Sequence, residues 1–215
     1  MTDWLNTSFY SFDHAILGFY HTLAESAGGF FTPLAKFITF IGEKGLWFLL
    51  LAVVLMLFAK TRKTGIAVFG SIGCGRILTS YVLKALCERP RPYEEIASDF
   101  AVWWQSAGAV LEDGFSFPSG HMTAAVAGFT ALWLCTNKKT LWGAIPYCVL
   151  MGASRNYLMA HYPTDVIAGA LVGLLSGAVA YLITLAIYKG LEEIKDTDFG
   201  VFCLYFDIRM LFEKE

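Results

Sequence analysis

Five long apolar runs constrain the fold of this chain more than any other feature. A transmembrane helix needs about 20 mostly apolar residues, whereas open strands leave backbone polar groups unpaired in lipid. We therefore predict an all-α fold, a polytopic transmembrane helical bundle. The runs cover residues 45–59, 65–87, 121–135, 141–157 and 166–188.

The composition agrees with a membrane protein and argues against nucleic acid as a partner. Hydrophobic residues make up 56% of the 215 residues and charged residues only 16%, whereas soluble domains carry about 25% charged residues. The net charge of -2 offers no basic surface for nucleic acid. We expect a single integral membrane domain over residues 1–215, with the lipid bilayer as its surroundings.

The first part of the chain is harder to divide, because charged residues and helix breakers interrupt its apolar pattern. Residues 11–42 fit either one interfacial helix followed by one span, or two tilted segments. We favour an amphipathic interfacial start at residues 1–27 and a short span at 30–42. The bundle would then have about six spans. At the other end, residues 190–215 mix aromatic and acidic residues and predict a cytoplasmic tail lying on the membrane.

Basic residues in short loops give the orientation, since such loops stay in the cytoplasm. They lie at every second end of the successive apolar runs, so all of them indicate the same orientation. The opposite ends hold Glu43, the acidic loop 88–117 and residues 154–165, which we therefore place outside the cytoplasm. The basic residues are Lys60, Arg62 and Lys63, then Lys138 and Lys139, and finally Lys189.

Three short polar islands lie at the ends of the apolar runs, all on the predicted extracytoplasmic side. They bring together fixed cations, a helix-start turn, two imidazoles and one carboxylate. This set suits binding a phosphate and cleaving its ester. The islands are Lys84 with Arg91-Pro92, then Pro118-Ser119-Gly120-His121, and then Ser154-Arg155 with His161 and Asp165.

The spacing within the islands favours specific chemistry, although each residue type also has a purely structural use. Asp165 follows His161 by four residues and could fix its tautomer, after Pro163 starts a helix. Ser119 and Gly120 begin a run, where free backbone amides bind anions. The structural alternatives are an interfacial histidine–acid pair and a helix-capping serine; for a lysine at a span end the alternative is snorkelling to the interface.

The three islands together resemble the signature of the type 2 phosphatidic acid phosphatase family, which is related to vanadium haloperoxidases. The patterns K-x6-R-P, P-S-G-H and S-R-x5-H-x3-D occur in order over residues 84–165. The chain resembles the small bacterial undecaprenyl pyrophosphate phosphatases of this family. By this resemblance His161 is the nucleophile, Asp165 orients it, and His121 is the general acid and then the base. The phosphate-binding residues that it implies are Lys84, Arg91, Ser119, Gly120 and Arg155.

The resemblance implies hydrolysis of a lipid phosphomonoester or pyrophosphate through a phosphohistidine, without a metal or another cofactor. Undecaprenyl pyrophosphate is the first candidate substrate, and phosphatidic acid and phosphatidylglycerol phosphate are close competitors. A lipid-phosphate transporter and a phosphotransferase are the alternative classes. The implied location is a bacterial inner or plasma membrane, with the active site on the extracytoplasmic side.

Several residues outside the signature carry separate expectations. Arg76 lies eight residues before Lys84, about 12 Å deeper along a helix, and we expect it to brace the bundle through a buried partner. Arg89 is expected to contact either the residues around the site or a lipid headgroup. The aromatic residues of loop 93–117 fit interfacial anchors or a lid, and the five cysteines are expected to pack in the bundle.

Overall fold

The computed structural model of the protein describes residues 2–95, 98–137 and 139–212, and this part of the chain is helical without a strand. The all-α prediction is therefore confirmed. Short 3₁₀ turns and one π-helical segment, Ile77–Leu83, join the α-helices. The α-helices are α1 (Thr2–Ser8), α2 (Tyr10–Ile41), α3 (Leu46–Met56), α4 (Arg62–Arg76), α5 (Lys84–Cys87), α6 (Phe100–Ser106), α7 (Gly120–Cys135), α8 (Thr140–Tyr157), α9 (Pro163–Glu193) and α10 (Asp198–Tyr205).

Three helical stretches among the described residues are long and apolar enough to cross a membrane: Tyr10–Met56, Arg62–Glu94 and Pro163–Glu193. The protein is an integral membrane protein. The apolar helix α7 has 16 residues, which is about 24 Å long at the α-helical rise and shorter than a hydrocarbon core of about 30 Å. The expected count of six spans is not confirmed.

The second half of α2 runs antiparallel to α8. A break at Ala27, where φ is -146°, divides α2. After the break, the Thr32 hydroxyl lies 2.7 Å from the Tyr157 hydroxyl, and further along the Thr39 hydroxyl lies 3.3 Å from that of Ser154. As α2 advances, its contacts therefore move backwards along α8.

Helix α3 continues in the same direction as α2 instead of returning. Gly45 lies against Ala124 near the start of α7, and Phe48 packs on Gly128 one turn further on. Helices α7 and α8 are neighbours joined by a short turn, so they run antiparallel to each other. Helix α3 is parallel to α7 and therefore antiparallel to α8, as the second half of α2 is. The two expected spans 30–42 and 45–59 are thus successive parts of one path, interrupted by the 3₁₀ turn Glu43–Gly45.

Small residues bring α7 and α9 into close contact at the centre of the bundle. Gly169, Gly173 and Gly177 recur every four residues on one face of α9. A Cβ on Gly173 would lie 2.7 Å from the Cβ of Val126, and a Cβ on Gly177 would lie 2.5 Å from that of Thr130. Such spacing allows membrane helices to approach closely enough for dispersion contacts between their backbones.

The first half of α2 and helix α6 cover the end of the bundle where the polar islands lie. The ring of His21 stacks on Trp103 with 5.1 Å between centroids. Leu17 and Phe100 are buried with Tyr162 in a small apolar cluster. The aromatic residues of the loop after Pro92 therefore pack against the N-terminal segment, and residues 1–27 stay predicted as the interfacial start.

Two of the basic loop residues, Arg62 and Lys63, lie at the opposite end of the bundle. The Lys63 ammonium lies 5.5 Å from the centre of the Tyr188 ring, so the start of α4 and the end of α9 meet there. Arg62 donates to the Cys203 carbonyl at 2.8 Å, and Asp207 accepts from the Ala59 amide at 3.1 Å. The C-terminal segment thus docks on the turn before α4 through specific hydrogen bonds. Lys138 lies outside the described residues.

The cysteines agree with a packing role. Cys87 is buried, and the other four cysteines are partly buried.

We predict that Gly177→Ala lowers the free energy of unfolding by about 1–3 kcal/mol, because its methyl group overpacks the contact with α7. The control is Gly190→Ala on the same helix, where an added Cβ meets no described atom within 4 Å. This control should be neutral or slightly stabilising, since alanine favours a helix over glycine. Thermal unfolding of the purified variants in detergent measures both, and equal midpoints would contradict the close approach of α7 and α9.

Candidate active site

The structure brings the three polar islands to one cavity of 610 Å³. Their residues come from the end of the π-helical and α5 segment, the start of α7, the end of α8 and the start of α9. Ser119, Arg155 and Asp165 are buried in the wall behind the cavity. The predicted site residues that line the cavity are Lys84, Arg91, Gly120, His121 and His161.

His161 lies in the turn between α8 and α9 with one ring nitrogen held in the wall. Its Nδ1 atom is 3.4 Å from Ser116 Oγ and 3.7 Å from Asp165 Oδ2. The side chain is only 2% exposed, yet it lines the cavity. The arrangement leaves Nε2 as the ring nitrogen available to a ligand.

The surroundings of His161 favour its neutral form. Burial, followed by the positive charges of Arg155, Arg91 and Lys84, holds the pKa of the imidazole well below its usual value of 6.5. A neutral imidazole keeps a lone pair on one nitrogen, as a nucleophile requires.

Asp165 is fully buried and accepts three hydrogen bonds. Arg89 Nη1 donates to Oδ1 at 2.6 Å. The Tyr162 amide, at 3.0 Å, and the Ser116 hydroxyl both donate to Oδ2. Pro163 is the first residue of α9, so Asp165 lies in its first turn as predicted. Ser116 lies between the carboxylate and His161 but outside the three predicted polar islands. The only feature of the sequence that connects Ser116 with the site is its position two residues before Pro118.

Arg89 connects two buried carboxylates. It donates to Asp165 at 2.6 Å and to Asp13 at 2.9 Å, and its side chain is 1% exposed. The guanidinium also lies 3.7 Å from the centre of the Tyr162 ring. Of the two expectations for Arg89, the contact with residues around the site is the one observed, since a buried side chain cannot reach a headgroup.

Asp13 makes the N-terminal helix part of the site. Besides its ion pair with Arg89, it accepts from the Thr164 amide at 3.0 Å and from the Thr164 hydroxyl at 2.8 Å. Asp13 belongs to the segment predicted as the interfacial start, for which no role in the site was expected. The sequence around Asp13 contains no local pattern that would indicate a partner near residue 164.

Arg91 is fixed by backbone carbonyl groups. Its guanidinium donates to Gly114 at 2.9 Å, to Asp113 at 2.8 Å and to Ala160 at 2.8 Å. Carbonyl groups orient this cation without neutralising its charge, so a full positive charge faces the cavity.

Arg155 is fully buried and paired with an acid. It donates to Glu112 Oε1 at 2.6 Å and to the Thr39 hydroxyl at 3.3 Å, while its Nε–H has no hydrogen-bond partner among the described atoms. Glu112 itself lines the cavity. The Glu112 carboxylate therefore occupies the position where an anionic ligand would meet Arg155.

The Pro-Ser-Gly-His turn offers fewer free amides than the sequence predicted. The Ser119 amide donates to the Asp165 carbonyl at 3.0 Å, so it is not free for an anion. The Ser119 hydroxyl is buried without a partner in the described part of the structure. Gly120 begins α7, where the first amides have no partner within the helix. The available donors are therefore the Ser119 hydroxyl and the amides of the first turn.

His121 enters the cavity from the first turn of α7. Its Nε2 atom lies 3.4 Å from Glu43 Oε2, but the alignment does not satisfy a hydrogen bond. Glu43 belongs to the 3₁₀ turn between α2 and α3. From the sequence, Glu43 was expected only to mark the end of a span.

Arg76 does not brace the bundle as expected. It is exposed, lines the cavity, and has no ion pair or hydrogen bond within the described residues. The expectation of a buried partner is wrong because the side chain faces a cavity and not a neighbouring helix. Among the described residues, no group of three histidine, cysteine or acidic side chains is arranged to hold a metal ion.

We predict that Arg89→Leu lowers the free energy of unfolding by about 3–5 kcal/mol, because it leaves two buried carboxylates without their cation. Arg89→Lys should recover only part of this loss, since an ammonium lacks the planar fork that reaches both acids. Arg209→Leu removes a pair whose arginine side chain is 62% exposed and serves as the control, with an expected loss below about 1 kcal/mol. Chemical denaturation in detergent would contradict the network if Arg89→Leu and Arg209→Leu cost the same.

We predict that the His161 imidazole stays neutral when the pH falls from 7.5 to 6, because its pKa lies below that of an ordinary histidine. Nitrogen-15 NMR of histidine-labelled protein in detergent measures the protonation state. The His161→Gln variant assigns the signal, and free histidine provides the reference titration. Protonation of His161 at about pH 6.5 or above would contradict the effect of burial and of the nearby cations.

The chain is similar in sequence to known proteins. Residues 64–189 match the PAP2 superfamily. The undecaprenyl-diphosphatase of Sulfolobus acidocaldarius is 32% identical over 142 residues, which is 65% of this chain and 64% of that protein. The phosphatidylglycerophosphatase B of Bacillus subtilis is 34% identical over 154 residues, 64% of this chain and 68% of that protein.

A solved structure has a similar fold. The crystal structure of Aquifex aeolicus LpxE matches with a TM-score of 0.57 and 23% identity, covering 76% of this chain and 93% of that one. The family match spans more than half of the chain and contains every predicted site residue. The protein therefore belongs to the PAP2 superfamily.

Proposed function

We propose that the protein is a lipid phosphatase that hydrolyses a lipid phosphomonoester or diphosphate through a phosphohistidine on His161. The observation that carries the proposal is the orientation of this ring. Ser116 and Asp165 lie beside Nδ1, so Nε2 is left to a cavity that also contains His121 and several cations.

In the first step, Nε2 of His161 attacks phosphorus and the bond from phosphorus to the leaving oxygen breaks. His121 gives its proton to that oxygen, which departs as an alcohol or as a lipid phosphate. Asp165 and Ser116 hold the Nδ1–H side of His161 and stabilise the positive charge that develops on the ring. The Glu43 carboxylate lies 3.4 Å from Nε2 of His121.

In the second step, the neutral His121 takes a proton from a water molecule that attacks the phosphohistidine. The phosphorus–nitrogen bond breaks, inorganic phosphate forms, and both histidines return to their starting states. One imidazole can act first as acid and then as base, because the loss of its proton in the first step leaves the lone pair that accepts a proton from water in the second.

The phosphoryl oxygens need positive charge and donors in the transition state. Lys84 and Arg91 supply charge from the cavity wall, and Arg155 joins them when the phosphate displaces Glu112. The Ser119 hydroxyl and the first amides of α7, starting at Gly120, supply hydrogen bonds. This mechanism assigns no step to a metal ion or another cofactor.

A lipid phosphate fits the mixed lining of the cavity. Apolar side chains lie beside the cations, which suits a charged group with an apolar tail. The names of the two curated relatives point to a prenyl diphosphate and to phosphatidylglycerol phosphate. We place undecaprenyl pyrophosphate first and keep phosphatidic acid and phosphatidylglycerol phosphate as alternatives. The apolar lining residues are Phe40, Ile72, Val110, Leu111 and Ala124.

We further propose that the site faces the extracytoplasmic side of a bacterial plasma or inner membrane. Lys63 and Arg62 lie at the end of the bundle where α9 finishes, and the cavity is built at the end where α9 starts. Basic ends of membrane helices stay in the cytoplasm.

We predict that the purified protein releases phosphate from lipid phosphates in the presence of EDTA. His161→Ala should lose this activity to background, because no nucleophile remains. His121→Ala should lose about 10²–10⁴-fold, the usual contribution of a general acid or base. The matched control is His14→Ala, a histidine that lies outside the cavity lining and should keep the parental rate.

Quantifying free phosphate by a colorimetric assay, and labelled products by thin-layer chromatography, separates the alternatives. Full activity in His161→Ala, or activity that EDTA abolishes and a divalent cation restores, would contradict the proposed chemistry. Binding of lipid phosphates without release of phosphate by the parent would instead indicate a carrier. Transfer of the label to an added alcohol and not to water would indicate a phosphotransferase.

A further inference from the structure

Two cations that line the cavity, Arg76 and Lys84, form no hydrogen bond or close ion pair with the residues that the structure describes. The other cations of the cavity are engaged. Arg91 donates to three carbonyl groups, Lys36 donates to the Gly108 carbonyl at 3.3 Å, and Lys44 lies 3.5 Å from Glu43. Arg76 and Lys84 are therefore the cations most open to a bound anion.

These two cations lie at different depths along one continuous helical stretch. Arg76 precedes Lys84 by eight residues, and the π-helical segment Ile77–Leu83 lies between them. The Thr79 hydroxyl, between them, donates to Thr123 in the first turn of α7 at 3.1 Å. Because α4 begins at the basic end of the bundle, Arg76 lies nearer to that end than Lys84 does.

An arginine at this depth needs a counter-charge. Charged side chains within membrane helices are costly and usually mark a ligand or ion path. Of the three acids that line the cavity, Glu112 pairs with Arg155 at 2.6 Å and Glu43 lies near Lys44 and His121. The third, Asp113, forms no ion pair with Arg76 in the described structure. The charge of Arg76 is therefore left for a ligand.

We propose that Arg76 binds the second, lipid-proximal phosphate of a lipid diphosphate, an inference that rests on the proposed function. When the terminal phosphate lies against His161 and Lys84, the phosphate that carries the lipid tail extends toward the membrane interior. Arg76 lies on that side of the same cavity. A guanidinium suits this contact because its fork of donors binds phosphate oxygens in pairs.

The proposal makes Arg76 a specificity-determining residue, because only a diphosphate reaches it. The charge of a lipid monophosphate is confined to the phosphate that lies against His161 and Lys84. Its binding therefore gains nothing from Arg76. As the bond between the two phosphates breaks, negative charge grows on the lipid-proximal phosphate that leaves. Arg76 then stabilises the leaving group as well as the bound substrate.

The test uses two probes with the same tail, farnesyl diphosphate and farnesyl monophosphate, with the purified full-length protein in detergent and EDTA. The variants are Arg76→Gln, Arg76→Lys and, as the matched control, Lys189→Gln, which removes a positive charge from a residue outside the cavity lining. The kcat and KM values are measured separately for each probe.

For Arg76→Gln we expect kcat/KM on the diphosphate to fall by about tenfold or more, the loss for one charge-assisted contact. The value on the monophosphate should stay within about twofold, which also shows that the variant is folded. Arg76→Lys should recover part of the loss, and Lys189→Gln should match the parent on both probes.

Equal losses on both probes, or an unchanged value on the diphosphate, would overturn the role of Arg76 while leaving the proposed phosphatase intact. A parent protein that cleaves neither probe, nor undecaprenyl pyrophosphate, phosphatidic acid or phosphatidylglycerol phosphate, would instead overturn the proposed function and this inference with it.

Discussion

The buried ion network around Arg89 is the interaction on which the site depends. In the proposed mechanism Asp165 orients His161 from the cavity wall, and a buried carboxylate without a partner is costly. Arg89 meets this need and at the same time binds Asp13, so one guanidinium joins the N-terminal helix to the start of α9. The position of the proposed nucleophile is therefore tied to a residue about 150 positions upstream.

Around this fixed wall, the cations of the cavity fall into two groups. Arg91 and Arg155 are held by carbonyl groups and by Glu112, so their positions are set before a ligand arrives. Prearranged charge needs little reorganisation during a reaction, which is the property that favours phosphoryl transfer. Lys84 and Arg76 are not held in this way and can adjust to the ligand, which suits recognition of substrates of different charge.

Local patterns predicted much of this arrangement. The apolar runs indicated membrane helices, and the start of α9 at Pro163 followed from the position of that proline. Contacts across the chain were not predictable in the same way. Ser116, Glu112 and Glu43 lie in loops or turns whose own sequence has no periodicity, and the free amide expected at Ser119 is used by the Asp165 carbonyl.

The sequence by itself determined the helical class, the membrane setting and the residue types of the three islands, because hydrophobicity, helix-start chemistry and motif spacing are local properties. The tertiary structure alone decided which charges meet. It joined the two expected N-terminal spans into one path, buried Arg89 between Asp13 and Asp165, and left Arg76 facing the cavity. These outcomes depend on how helices distant in the chain pack, and the energy of a charge depends on that packing more than on its neighbours in sequence.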